Sequence, residues 1–129
     1  LAAVEEIASW PELVEHVGPA LGDDQELIRQ QFEAGHVSGW RIRDCWVLLR
    51  GEGSELVIVA MAGKGLQHAT GVIINSARRT GFKTLRAHTE RPGLLRLIQR
   101  AAPQAYKREI VIGLDLWAEN QAVAAAAQQ

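Results

Sequence analysis

Cysteine, tyrosine and methionine each occur once in 129 residues, and phenylalanine only twice. The lone Cys45 excludes an internal disulfide, and no spacing of Cys and His resembles a zinc site. Cys45 stands beside Trp46 in an apolar stretch, which reads as a packed thiol rather than a nucleophile. An excess of either charge is also missing, because 14 Lys and Arg face 15 Asp and Glu, for a net charge of -1. That balance gives no electrostatic case for a nucleic acid or an anionic membrane as partner. No apolar run approaches the roughly 20 residues of a membrane span. No signal peptide is visible, so a cytoplasmic setting is expected.

What is present is an ordinary soluble composition, 47% apolar and 22% charged, with enough length for one real core. A single domain is expected over residues 1–117, followed by an alanine- and glutamine-rich tail over 118–129. That tail buries little against its own domain and is expected to order on a partner or another subunit.

The chain is organised around residues 55–89. Leu56 to Met61 is an uninterrupted apolar run, as in a strand buried on both faces. Ala62-Gly63-Lys64-Gly65-Leu66 turns it into a helix over about residues 68–80, whose inward stripe is Leu66, Ala69, Val72, Ile73 and Ala77. Gly81 ends that helix, and residues 82–89 resume as a parallel strand. Upstream, Ala2 to Ala8 reads either as a short strand or as a lead-in. Ser9-Trp10-Pro11-Glu12 opens a first helix that Gly18-Pro19 should end. Asp23 and Asp24 should cap a second, closed by Gly35. Trp46–Arg50 and Glu55–Ala60 should form an antiparallel hairpin across residues 51–54. Downstream, Thr89-Glu90-Arg91-Pro92 opens a helix carrying Leu94, Leu95, Leu97 and Ile98. Residues 106–116 alternate as one final strand. The fold class is α/β, a central mixed sheet flanked by helices.

This order of elements, with Gly63-Lys64-Gly65 between the long strand and its helix, resembles the GNAT acyl-CoA N-acyltransferases over roughly residues 9–116. The resemblance implies that Gly63, Lys64 and Gly65 face the pyrophosphate of acetyl-CoA. Glycines admitting the backbone, and free amides at a helix start, are the physical basis. The Gln or Arg of the family pattern [Q/R]-x-x-G-x-[G/A] falls on Ala60. The tyrosine of the family's fourth helix is missing from residues 94–102, and Tyr106 lies beyond Pro103. Glu52 and Glu55 are the carboxylates near the hairpin, as solvated edge charges or, alternatively, a general base. His88, at the carboxyl end of the second parallel strand, and Arg91 beside it are cleft candidates for a polar anchor, a proton carrier or an anion grip.

A narrower similarity is to small GNAT-like proteins of tailed phages and prophages, carried by residues 46–50, 55–60 and 87–94. It implies a non-catalytic structural or interaction protein with no cofactor. Its partners would be other protein subunits, virion proteins or further copies of the chain, in the bacterial cytoplasm or in a virion. The alternative is an acetyl-CoA-dependent N-acetyltransferase with atypical catalytic residues, and a third reading is a small-molecule binding module.

Overall fold

A run as apolar as Leu56–Met61 needs cover on both faces, and the fold supplies it. The computed structural model describes residues 4–88, 106–108 and 111–116. The elements are β1 (Val4–Ile7), α1 (Trp10–Leu21), a 3-10 turn (Gly22–Asp24), α2 (Gln25–Glu33), β2 (Val37–Ile42), β3 (Cys45–Glu52), β4 (Glu55–Gly63), α3 (Leu66–Thr80), β5 (Thr84–His88), β6 (Tyr106–Arg108) and β7 (Val111–Asp115). Among the described residues seven strands form one mixed sheet in the order β1-β2-β3-β4-β5-β7-β6. Strands β4 and β5 are parallel, and every other neighbouring pair is antiparallel. The expected mixed sheet with the apolar run at its centre is therefore the observed one.

One core joins Leu56, Ile58 and Met61 of β4 to Ala69, Ile73, Ile74 and Ala77 of α3. The other joins Leu48 and Ala60 to Leu13, Val17 and Leu21 of α1 and Ile28 of α2. Each fully buried Leu, Ile or Val contributes about 1.5–3 kcal/mol of transfer free energy, so β4 is held from both sides. Thr70 is buried in α3 without penalty, because its hydroxyl donates to the Leu66 carbonyl at 2.7 Å.

Several boundaries differ from the sequence reading for local reasons. Residues 4–7 form a strand, paired with β2. Helix α1 runs through Gly18 and Pro19 to Leu21. Proline removes one backbone donor near the helix end, while burial of Gly18 and Leu21 keeps the last turn in place. Ser9 caps this helix as expected, accepting the Glu12 amide at 3.3 Å. Asp24 makes no side-chain cap, and the 3-10 turn leads the chain into α2 instead. Leu27 on α2 faces solvent. The β3–β4 hairpin closes tighter than expected, with Glu52 opposite Glu55 and Gly53 in the left-handed region.

The expected single strand over 106–116 is two strands, β6 and β7, paired antiparallel from Tyr106↔Gly113 to Arg108↔Val111. An apolar alternation cannot reveal such a reversal when both arms are short. The helix expected after Thr89 and the tail 118–129 lie outside the described residues. Among the described residues, no helix is long and apolar enough to cross a membrane.

Candidate functional site

The site starts from an extra residue. Leu48 of β3 pairs with Ala60, but its neighbour Leu49 pairs with Ile58, so Val59 is a β-bulge. A bulge bends its strand and shifts the alternation of side chains by one. Leu56, Ile58 and then Met61 consequently face α3, while Val59, Ala60 and Ala62 pack on the α1 side.

The described pairing of β4 with β5 also ends at the bulge. Their ladder runs from Glu55↔Thr84 to Ile58↔Ala87 and stops there. Residues 59–63 thus have no strand partner on the β5 side among the described residues. A strand edge without a partner presents backbone donors and acceptors that require satisfaction from elsewhere.

The open edge leads into the turn before α3. Gly63 has φ 122°, and a Cβ there would overlap the Asp44 carbonyl oxygen. That oxygen accepts the Lys64 amide at 3.0 Å. Gly65 follows at φ 72° and is the N-cap of α3, with no side chain capping the helix. The first bond of the helix is from the Ala69 amide to the Gly65 carbonyl, at 3.0 Å. The amides of the turn before Ala69 therefore point out of the helix start, where its dipole favours an anion.

Beside this start lies an open depression of about 630 Å³ lined by Gly65, Gln67, His68, Gly71, Val72 and Asn75. Neither Gly65 nor Gly71 has a neighbour within 4 Å of an added Cβ. Gly71 thus costs helix stability, roughly 0.5–1 kcal/mol against alanine, with no packing need among the described residues.

The sequence-predicted residues divide accordingly. Gly63, Lys64 and Gly65 form the turn between the open edge and the helix start. The backbone of His88 ends β5, one residue past the last β4–β5 pair. Arg91 lies outside the described residues. Glu52, the last residue of β3, and Glu55, the first of β4, face each other at the hairpin and are engaged in ion pairs. Glu52 accepts from Arg86 and Arg50, and Glu55 lies 3.5 Å from Arg86. Glu52 is exposed and Glu55 half-buried, so both are edge charges, held in ion pairs rather than left as free bases.

Two features escaped the sequence reading. The bulge is hidden inside a uniformly apolar run. The aromatic stack of His16 on Trp46, with ring centroids 3.9 Å apart and planes within 4°, joins α1 to β3 without any sequence periodicity. The helix-interior Gly71 was the one available signal for the groove.

Cys45 pairs with Gly63 across the β3–β4 ladder and is buried. Burial pushes its thiol up from 9.0 to about 11, opposed by a hydrogen bond with the Ala62 backbone. The thiol is therefore neutral at physiological pH. A disulfide-exchange reagent at pH 8 should label it only after denaturation. The raised value also favours folding fully below pH 9. This contribution is lost as pH rises towards 11, so a fall in denaturation midpoint over that window should shrink in Cys45→Ala.

No protein-family model and no curated protein matches the sequence. Solved structures do match. A Bacillus subtilis acetyltransferase in complex with CoA aligns with TM-score 0.62 at 12% identity, covering 87% of this chain and 97% of that one. The Escherichia coli ribosomal-protein-S18-alanine N-acetyltransferase aligns with TM-score 0.60 at 8% identity, over 88% of this chain and 92% of that one. The AtaTR complex bound with acetyl-CoA aligns with TM-score 0.55 at 13% identity, over 93% of this chain and 96% of that one. The fold is that of the GNAT acetyltransferases. The expectation of no cofactor is corrected by these matches, since structures of this fold hold CoA or acetyl-CoA.

Proposed function

We propose that the chain binds acetyl-CoA, or a related acyl-CoA, and transfers the acyl group to an amine. One observation carries this reading: residues 59–63, which have no strand partner on the β5 side among the described residues, run directly into the start of α3, which no side chain caps. An extended ligand with amides at one end and phosphates at the other suits both halves. Its amides would satisfy the open strand edge as an added strand does, and its phosphates would accept from the amides at the start of α3. Lys64, exposed between the two, adds positive charge. Bound there, the coenzyme would supply an activated acyl thioester.

The two departures from the family pattern bear on different steps, Ala60 on coenzyme binding and the missing tyrosine on rate. Ala60 packs into the α1 core and offers no polar side chain. With no tyrosine over 94–102, proton return to the leaving sulfur falls to water or to a group outside the described residues. The virion reading gains no support from the matched structures. Protein partners are consistent with the fold, since the AtaT–AtaR structure is a protein complex.

Calorimetry with acetyl-CoA tests the proposal. The wild-type chain should bind with a micromolar dissociation constant. Gly71→Leu should stay folded, because a side chain meets open space there, yet it should weaken binding at least about tenfold, or about 1.4 kcal/mol. A folded wild-type protein that takes up no acetyl-CoA at millimolar concentration overturns the reading.

A further inference from the structure

We propose that Arg43, in the turn between β2 and β3, grips the phosphate on the 3′-oxygen of the coenzyme's ribose. This rests on the acyl-CoA reading above. It adds a residue from outside the β4–α3 turn that selects the coenzyme by its third phosphate.

Two turns meet at this end of the sheet. Ile42 pairs with Cys45, so Arg43 and Asp44 alone carry the chain from β2 into β3. Cys45 also pairs with Gly63, which sets that turn beside the one leading into α3. Their contact is backbone on backbone. The Asp44 carbonyl accepts the Lys64 amide at 3.0 Å, and it occupies the place that a Cβ on Gly63 would need. Arg43 is the next residue, its Cα about 3.8 Å from that of Asp44. The base of its side chain is thus fixed beside the turn that precedes the start of α3.

The Arg43 side chain is free to serve a ligand. Its guanidinium is exposed and makes no hydrogen bond or ion pair with another described residue. Arg29, Arg50 and Arg86, by contrast, are each paired with a glutamate. Arg41 holds the turn from the β2 side, its Nε donating to the Arg43 carbonyl at 2.8 Å. Arg43 has φ 55°, the one positive φ outside glycine among the described residues. A side chain is therefore kept where the backbone favours glycine. Around it Arg41, Arg43 and Lys64 outnumber Glu5 and Asp44, the carboxylates beside them in register and sequence, in a chain whose net charge is -1.

The chemistry of the coenzyme says which group this cation takes. Two of its three phosphates form the diphosphate, which accepts from the amides at the start of α3. The third is a phosphomonoester on the ribose and carries close to two negative charges at neutral pH. It is the group most in need of a cation, and the helix start leaves it without one. A guanidinium meets such a group through two parallel N–H···O bonds. Lys64, on the neighbouring turn, adds a point charge between the two phosphate positions.

Calorimetry on the intact chain compares acetyl-CoA with acetyl-dephospho-CoA, which lacks only that phosphate. Wild type should prefer acetyl-CoA at least about tenfold, the margin of one charge-assisted contact. In Arg43→Gln the preference should fall to about twofold or less, with acetyl-dephospho-CoA bound as by wild type. Arg79→Gln, which removes a charge from the far end of α3, should leave the preference whole. Arg43→Gly suits the positive φ, so it should melt no lower than wild type while losing the preference, which separates the grip from the fold.

A wild-type chain that binds both ligands equally overturns the assignment, as does an Arg43→Gln chain that keeps the preference. An equal loss for both ligands in Arg43→Gln does so too, because it puts the guanidinium on the diphosphate. Loss of the preference in Arg79→Gln would mean that net charge, not Arg43, sets it. In each of these cases the coenzyme reading stands. A wild-type chain that binds neither ligand removes that reading and the Arg43 grip together.

Discussion

Gly63→Val is expected to cost about 3–5 kcal/mol of stability. Two independent effects meet at this residue. Its φ of 122° lies where a side-chain-bearing residue is strained. An added Cβ would also overlap the Asp44 carbonyl oxygen and come within 3.1 Å of the Cys45 Cα. Both obstacles are backbone, so neither can swing away as a flexible side chain would. Relief requires β3 and β4 to part at Cys45↔Gly63, and with them the Lys64-to-Asp44 hydrogen bond. Gly65→Ala is the control. It shares the left-handed backbone but meets open space, and should cost about 1–2 kcal/mol. For a domain of this size each kcal/mol moves the midpoint by roughly 3–6 °C, so the two variants should separate clearly in thermal and urea denaturation. Equal losses would show that the turn rearranges and that Asp44 does not constrain it.

The same turn marks how far the sequence could be read. Gly63 and Gly65 are legible because glycine is the residue that positive φ demands. The apolar run of β4 and its parallel partner are legible because burial on both faces forbids polar residues. The bulge at Val59 is not, since a run apolar on both faces has no alternation for a bulge to break. Nor could it be foreseen that the β4–β5 ladder ends at Ile58↔Ala87, leaving residues 59–63 without a strand partner on that side among the described residues. The ion pairs of Glu52 and Glu55 with Arg86 were hidden for another reason. They cross three strands, and register is set by turn geometry that a loop with two glycines leaves open. The stack of His16 on Trp46 was hidden because its two rings stand thirty residues apart in sequence.

That stack depends on how α1 is seated, which leads to the second large effect. Leu13 of α1 is wholly buried, and its side chain fills the space above Gly39, where any Cβ would overlap it. Gly39 in turn sits between Ile7 of β1 and Leu48 of β3 in the sheet register. Leu13→Ala should cost about 2–5 kcal/mol as a cavity opens. Gly39→Val should cost about 1–3 kcal/mol by overpacking. In the double variant the valine occupies the room the leucine leaves, so the losses should fall short of additive by at least about 1 kcal/mol. Urea denaturation of the four proteins measures this coupling, and strict additivity would mean that α1 is not seated on Gly39.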